Sequence, residues 1–283
     1  MHKMLRLLFC GGGLLLAINL AWIQRPELFG MDGSELATRL SFVSVAVWWV
    51  GFSIPLFRVV PEPSQVGEQV DQSPIHAAVL RLTSTLGELR SYRQAFLMML
   101  AFLVYNDGIG TIVRMAATYG TEIGLDRGTL ITALLLAQFV GVPCALLFGQ
   151  LAYWLDAKRA IFVSLVVYVV ISILSYRMSN ATEFYVLALL VGTVQGGSQA
   201  LSRSLFASMV PRHKSCEFFA FFGVFEKFAG IVGPGVFALM ILVTGSSRGA
   251  ILTIGPFFVI GGLLLAMVDV EKGQRVAREA EVG

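Results

Sequence analysis

Long apolar runs without a charged side chain constrain this sequence more than any other feature. An α-helix needs about 20 apolar residues, within a range of about 17–25, to cross the hydrocarbon core of a bilayer. Helices are the expected form, because every backbone polar group in lipid must find an internal partner. Eight runs predict such spans, interrupted only by Asp107 in the third and by Glu226 and Lys227 in the seventh: 7–24, 40–57, 94–113, 128–155, 160–176, 184–202, 218–247 and 249–268.

The low share of charged residues supports the same interpretation. Charged residues make up 14% of the chain and hydrophobic residues 56%, with a mean hydropathy of +0.76. Soluble domains are about 25% charged. The net charge is only +3 and the basic residues are scattered, which argues against a nucleic-acid-binding surface. The sequence therefore predicts an all-α, multi-pass protein of the cell (plasma or inner) membrane.

Lysine and arginine positions predict the orientation. Eight spans place both termini on one side, and the loops of that side hold 14 of the 21 basic residues, the other side holding 6, with Lys227 inside a span. Basic residues favour the cytoplasmic side, so both termini are predicted to be cytoplasmic. A cleavable signal peptide fits the first run poorly, because QRPELFG follows it in place of an A-x-A-like site.

The one long connection divides the chain. Residues 61–93 contain Pro61, Pro63 and Pro74 among Gly, Ser and Gln, a composition typical of a flexible linker, and residues 76–93 are compatible with a short surface helix. The predicted divisions are two spans in 1–60, a cytoplasmic linker in 61–93, six spans in 94–268 and a cytoplasmic tail in 269–283.

Three ionisable residues lie where lipid would be expected. Asp107 lies about 21 Å beyond Arg93, and Glu226 and Lys227 about 14–15 Å beyond Glu217, at about 1.5 Å per residue. A charge at the bilayer centre costs about 2.5–3.5 kcal/mol on insertion scales. Either these residues face a polar pathway, or Lys227 neutralises Asp107 or Glu226 in a structural ion pair.

Other polar or helix-bending residues add weaker signals. Gln195 and Gln199, four residues apart, share a helix face and either line a pathway or form interhelical hydrogen bonds. Gly192 and Gly196 form a G-x-x-x-G pattern that favours close helix packing. Arg114 is predicted to snorkel to the outer interface, and the interface also explains Arg203 at the end of the sixth span. Pro143 and Pro234 predict kinks.

Residues for catalysis or metal binding are not indicated. The three cysteines, Cys10, Cys144 and Cys216, lie far apart, and no histidine falls in a predicted span. The chain contains no G-x-S-x-G, H-E-x-x-H or P-loop lysine pattern. We therefore expect no catalytic residue, no metal and no cofactor, and the chain is not predicted to be an enzyme.

Four segments in order resemble the vacuole-effluxer-like family of the major facilitator superfamily, related to the autophagy-associated vacuolar amino-acid exporter. They are WWVGFSIPLFRVVPEP (48–63), YNDG (105–108), GGSQALSRSLFASMVP (196–211) and EFFAFFGVFEKFAGIVGP (217–234). The resemblance covers roughly residues 11–268. It implies twelve spans in two halves, so that this chain would hold the last two helices of the first half and a complete second half, truncated at its N-terminus.

The resemblance also implies a cytoplasmic gating loop at GQLAYWLDAKR (149–159). Gly149, Lys158 and Arg159 fit the superfamily pattern, and Arg203 is a further gating candidate. Tyr153, Trp154 and Asp156 replace its acid, arginine and glycine, which puts the charge contact of that loop in doubt.

Three functions remain open at this point: a permease that moves a small solute, perhaps amino acids, by alternating access; a non-transporting fragment or half-transporter that needs the missing helices or another chain; and a membrane scaffold. For the first, the candidates for substrate binding or proton coupling are Asn106, Asp107, Gln195, Gln199, Glu226 and Lys227. The expected partners are the bilayer and a small solute.

Overall fold

The structure, a computed structural model, describes residues 14–31, 33–59 and 74–282. These residues form an all-α protein of the membrane-spanning type, and no β-strand occurs among them. The α-helices in chain order are α1 Leu14–Gln24, α2 Ser34–Val59, α3 Pro74–Ser91, α4 Arg93–Glu122, α5 Arg127–Leu155, α6 Ala157–Arg177, α7 Ala181–Ala207, α8 Ser215–Ala229, α9 Val232–Thr244, α10 Ser247–Leu252, α11 Gly255–Ala266 and α12 Val270–Val282.

Within the described ranges, seven segments have the length and composition to cross a membrane: Glu35–Pro55, Arg93–Glu122, Arg127–Leu155, Ala157–Arg177, Ala181–Ala207, Arg212–Thr244 and Ser247–Ala266. They correspond to the second to eighth predicted spans. Of the first, only the short apolar helix Leu14–Gln24 is described, and residues 7–13 lie outside the described residues. The last two spans are each built from two helices, α8 with α9 and α10 with α11.

The chain divides into two compact units, residues 1–72 and 73–283. In the first unit, the described helices are α1 and α2, and the Ser44 hydroxyl donates to Oδ1 of Asn19 at 2.9 Å. The face of α2 is strongly apolar, and Phe42, Trp49 and Phe57 are each more than 70% exposed. Such a surface fits lipid or another helix better than it fits water.

In the second unit, α4 is the central helix. Most of its length is buried, and it contacts α7, α8, α9 and α11. Its aromatic residues contribute to the core: Phe102 stacks on Phe222 at 4.6 Å between ring centroids. The peripheral helix α5 buries little of its length and exposes Leu146, Leu147 and Phe139, as expected for a surface that faces acyl chains.

Small residues bring α5 and α7 into close contact. A Cβ at Gly192 would lie 2.6 Å from the carbonyl oxygen of Ala137, and one at Gly196 would lie 3.2 Å from Cβ of Ala145. The predicted packing role of these glycines is confirmed, because the backbones approach too closely for a side chain at Gly192.

Proline acts differently in two places. Helix α5 continues through Pro143, whereas the predicted interruption at Pro234 is a complete break between α8 and α9 at Gly230 and Ile231. Proline has no N–H, and its ring clashes with the carbonyl four residues earlier. For Pro234 that carbonyl belongs to Gly230.

Two helices outside the candidate spans flank α4. Helix α3 matches the surface helix predicted for residues 76–93, and its Glu88 forms a 2.6 Å ion pair with Lys214. Helix α12 occupies the predicted tail, and a Cβ at its Gly273 would lie 2.7 Å from Sδ of Met209. Both helices pack directly against the bundle.

Candidate functional site

Three of the predicted polar residues lie along one face of α7, and two more, one on α4 and one on α8, contact that face. Gln195, Gln199 and Arg203 repeat every four residues, so they share a face. Gln199 Nε2 donates to Oδ1 of Asn106 on α4 at 3.2 Å. Arg203 Nη2 donates to both carboxylate oxygens of Glu226 on α8, at 2.9 and 3.1 Å. We call these five residues the polar stripe.

The stripe is partly open to its surroundings. The Arg203 side chain is 51% exposed and that of Glu226 is 19% exposed, while Asn106, Gln195 and Gln199 are half-buried. Arg203, which was predicted to mark the interface, is the charged end of this stripe, and its place at the interface stays a prediction. Its ion pair explains how Glu226 is tolerated, because an acid in an apolar bundle must be paired or hydrated.

Lys227 points away from its neighbour. Lys227 is exposed and forms no ion pair within 4.0 Å among the described residues. Successive helical residues point about 100° apart, so Lys227 does not share the direction of Glu226. The predicted alternative, in which Lys227 neutralises Asp107 or Glu226, is therefore not the observed arrangement. Arg203 pairs with Glu226, and Asp107 has a different partner.

Asp107 lies on another face of α4 and is 3% exposed. Its Oδ2 accepts a hydrogen bond from the backbone N–H of Gly233 at 2.6 Å, and its Oδ1 has no hydrogen-bond partner among the described residues. In an unbroken helix, that N–H would bond to the carbonyl of Ala229. Asp107 therefore replaces a lost backbone acceptor in the first turn of α9, where the helix dipole favours a negative charge.

Arg114 makes the matching contact on the other side of the break. Its Nη1 donates to the carbonyl oxygen of Gly230, the group that Pro234 leaves without a helical donor. Arg114 is exposed, so its snorkelling to the outer interface stays a prediction, and the broken helix gives its guanidinium an unpaired carbonyl to contact. Glycines make room for the guanidinium: a Cβ at Gly110 or Gly230 would lie 2.7 or 2.8 Å from Nη2.

One buried contact beside the stripe was missed in the sequence. The Tyr105 and Ser202 hydroxyls lie 2.5 Å apart, both buried, and Ser202 also donates to the carbonyl of Ser198 at 2.5 Å. Tyr105 precedes Asn106 in YNDG, and Ser202 precedes Arg203. A buried tyrosine usually has a hydrogen-bond partner, so the tyrosine in this apolar run was the sequence signal for the contact.

The predicted gating loop connects α5, α6 and α11. Lys158 Nζ donates to the carbonyls of Ala266 at 2.9 Å and Val268 at 2.7 Å, so it caps the end of α11, where cations are favoured. Arg159 and Gly149 are exposed. Within this loop, Lys158 is thus the candidate that contacts another span.

The substituted positions of the loop have distinct environments. Tyr153 and Trp154 are 87% and 78% exposed, a placement typical of aromatic residues at a membrane interface. Asp156 has φ 71° and ψ 151°, a region that only glycine adopts readily. This conformation explains why the superfamily pattern has glycine there.

The described residues contain no group of three or more side chains able to hold a metal ion. The site offers the chemistry of polar and charged side chains. These are the cations Arg203 and Lys227, the carboxylate of Glu226, carboxamides, and the separate buried carboxylate of Asp107 at the helix break. Such groups can bind a polar solute or a proton.

Comparisons with known proteins agree with this architecture. The family model "Vacuole effluxer Atg22 like" matches residues 4–278. A Bacillus subtilis protein named "Uncharacterized MFS-type transporter YxiO" is 37% identical over 265 residues, which cover 94% of this chain and 61% of that protein. "Autophagy-related protein 22" of Yarrowia lipolytica is 26% identical, with 86% of this chain and 46% of that protein covered. "Autophagy-related protein 22-1" of Phaeosphaeria nodorum is 24% identical, with 93% and 52% covered.

The chain thus spans 61% of the bacterial relative and about half of the fungal ones. The family description names an effluxer and the bacterial relative is named a transporter, and neither name is that of an enzyme. The family match over nearly the whole chain agrees with the all-α, multi-pass architecture, and the chain belongs to the vacuole effluxer Atg22-like family of major-facilitator-type membrane proteins.

Proposed function

We propose that this chain is the solute-binding part of a major-facilitator-type permease, and that the polar stripe lines the solute path. The observation that carries the proposal is the convergence of polar side chains from α4, α7 and α8 inside a bundle with an apolar outer surface. Polar groups inside a membrane protein are costly and generally mark pathways.

A zwitterion such as an amino acid suits these groups. Arg203 and Lys227 can donate to a carboxylate, and Glu226 can accept from an ammonium group. Because the Arg203 side chain is half exposed, a solute carboxylate can compete with Glu226 for it. Asn106 and Gln199 would hold uncharged parts of the solute through their carboxamides.

Alternating access would then involve the whole transporter. Substrate sites in such proteins lie near the midplane between two halves that rock against each other. We propose that residues 94–268 form one half, that residues 1–60 belong to the other, and that 61–93 and 269–283 lie on the cytoplasmic side with both termini. We further propose that the membrane is the cell (plasma or inner) membrane.

A second proposal is that the chain requires a partner or does not transport. It rests on the coverage of the relatives, 61% for the bacterial one, because a path between two halves needs both. A half-transporter would bind solute through the polar stripe but move it only when further helices are supplied on another chain.

The test is uptake of a labelled amino-acid mixture into liposomes that contain the purified chain, alone and with co-expressed helices of the first half. Arg203→Ala and Lys227→Ala should each reduce uptake about tenfold or more, because a hydrogen bond to a charged group contributes about 1.5–3 kcal/mol. Arg127→Ala, at the exposed start of α5, is the matched control and should behave like the unmodified chain. Uptake that is unchanged in both Arg203→Ala and Lys227→Ala would refute the assignment of the solute path. Uptake only with the added helices would select the half-transporter.

A further inference from the structure

The break between α8 and α9 is held by two side chains of α4 that each replace a missing backbone partner. Asp107 Oδ2 takes the place of the Ala229 carbonyl as acceptor for the N–H of Gly233. Arg114 takes the place of the absent N–H of Pro234 as donor to the carbonyl of Gly230. Asp107 and Arg114 are seven residues apart, which places them on one face of α4.

Each side chain also matches the dipole of the helix end that it contacts. The carboxylate lies at the first turn of α9, and the guanidinium lies just beyond the end of α8, so the helix dipoles favour both contacts. Together they hold two half-helices in one relative position. Two backbone hydrogen bonds of a continuous helix are thus replaced by hydrogen bonds from two charged side chains.

The space around the contact is shaped for it. A Cβ at Gly233 would overlap the Thr111 hydroxyl and lie 3.1 Å from Oδ1 of Asp107. Glycine is therefore needed for α9 to approach α4 this closely. The Thr111 hydroxyl itself donates to the Asp107 backbone carbonyl at 2.7 Å, so it is not available to Oδ1.

Oδ1 of Asp107 is thus a buried carboxylate oxygen with no hydrogen-bond donor among the described residues. No ionisable residue occurs in α9 or α11, the helices that pack against this part of α4. Three other ionisable residues of the bundle have partners of their own: Glu226 pairs with Arg203, Arg248 donates to the carbonyl of Met178, and Glu122 accepts from the N–H of Ser247. Arg114 is the facing charge, and Lys227 is exposed on α8.

We propose that the α8–α9 break is a hinge and that binding of a proton at Oδ1 of Asp107 releases it. A hydronium ion donates the proton: its O–H bond breaks as an O–H bond forms at a lone pair of Oδ1, and the remaining water molecule leaves. The carboxyl group then loses its charge, so its hydrogen bond to Gly233 weakens by about half and its attraction to the helix dipole disappears. Helix α9 becomes free to tilt about Gly230 and Ile231.

This inference goes beyond solute transport and does not require it, so the test measures geometry. Spin labels are placed at Leu242→Cys on α9, where the side chain is 83% exposed, and at Ile173→Cys on α6, where it is 55% exposed. Cys10, Cys144 and Cys216 are replaced by serine, and the full chain is held in lipid nanodiscs. Leu242 lies about 15 Å beyond the break, so a tilt of about 20° moves it by about 5 Å.

Lowering the pH from about 8 to about 5, across the range where a buried carboxyl can titrate, should shift or broaden the distance distribution by about 5 Å. Asp107→Asn should show the low-pH distribution at both pH values, and Glu217→Gln, the matched control at an exposed acid of α8, should keep the pH response. A distribution that does not change with pH, or a change that survives in Asp107→Asn, would overturn the proposal.

A second variant keeps the test decisive if Asp107→Asn does not fold. Pro234→Ala restores an N–H that can bond to the carbonyl of Gly230 and so continue the helix. It should give one narrow distribution at both pH values. A pH response of unmodified size in Pro234→Ala would show that the movement does not arise at this break.

Discussion

The close approach of α5 and α7 leads to a quantitative prediction for Gly192→Ala. A Cβ at this position would lie 2.6 Å from the carbonyl oxygen of Ala137 and 3.0 Å from its Cα, and ordinary contact begins at 3.4 Å. The deficit at the oxygen is 3.4 Å less 2.6 Å, about 0.8 Å. Because backbone atoms form the obstacle, no side-chain rotation relieves it, and the two helices must separate.

Overpacking of this kind costs about 1–3 kcal/mol, whereas replacing a helical glycine by alanine recovers up to about 1 kcal/mol. We expect a net loss of about 1–2 kcal/mol, equivalent to a fall of about 2–8 °C in the thermal midpoint of a chain of this size. The assay is tryptophan fluorescence of the detergent-purified chain at a fixed heating rate, because unfolding of such proteins is commonly irreversible.

The matched control is Gly223→Ala on α8, where no atom lies within 4 Å of the added Cβ. Its midpoint should stay equal or rise, since only the helix propensity changes. A midpoint for Gly192→Ala equal to that of Gly223→Ala would refute the claim that backbone contact sets the distance between α5 and α7.

Three further substitutions test local features of the loops by the same melting assay. Asp156→Gly should raise the midpoint, because relief of a backbone conformation favourable only to glycine recovers about 1–3 kcal/mol, whereas Asp156→Ala should not raise it. Asp126 caps α5, and the Thr129 hydroxyl and N–H hold the pKa of its carboxyl below the usual range. At pH values above the unfolded-state pKa of about 4, Asp126→Ala should therefore lower the melting midpoint. The difference from the unmodified chain should vanish as the pH falls through the folded-state pKa. Lys158→Ala removes the cap of α11 and should cost about 1–2 kcal/mol, whereas Arg159→Ala should change little; equal midpoints for the two would argue against the cap.

The positions of the spans could be predicted from local sequence, whereas the contact partners of their side chains could not. The length of the apolar runs located the seven described spans, because helix length depends on neighbouring residues alone. Proline alone did not locate the break, since α5 continues through Pro143 whereas α8 and α9 separate before Pro234. The uncharged-run criterion stopped the third span at Val113, whereas α4 continues to Glu122. Arg114 does not end the helix, since its side chain is satisfied by Gly230.

Four of the six sequence candidates, Asn106, Gln195, Gln199 and Glu226, lie in the polar stripe, whereas Asp107 and Lys227 do not, and the function of all six stays a prediction. Helical spacing placed Gln195 and Gln199 on one face, and Arg203, one turn further, completes it. Spacing within one helix says nothing about which neighbour faces it, so the contacts of Asn106 and Glu226 were not predictable. Asp107 was grouped with the stripe because both are polar, although it lies against α9.

The central claim is that the polar stripe faces an aqueous path within a lipid-embedded bundle. Reaction of a membrane-impermeant thiol reagent with single cysteines in intact liposomes tests it most directly, with Gln199→Cys compared with Leu146→Cys, a position that is 66% exposed on α5. We predict that the thiol of Gln199→Cys reacts with this reagent and that the thiol of Leu146→Cys, which faces acyl chains, does not. Reaction at Leu146→Cys with none at Gln199→Cys would contradict it.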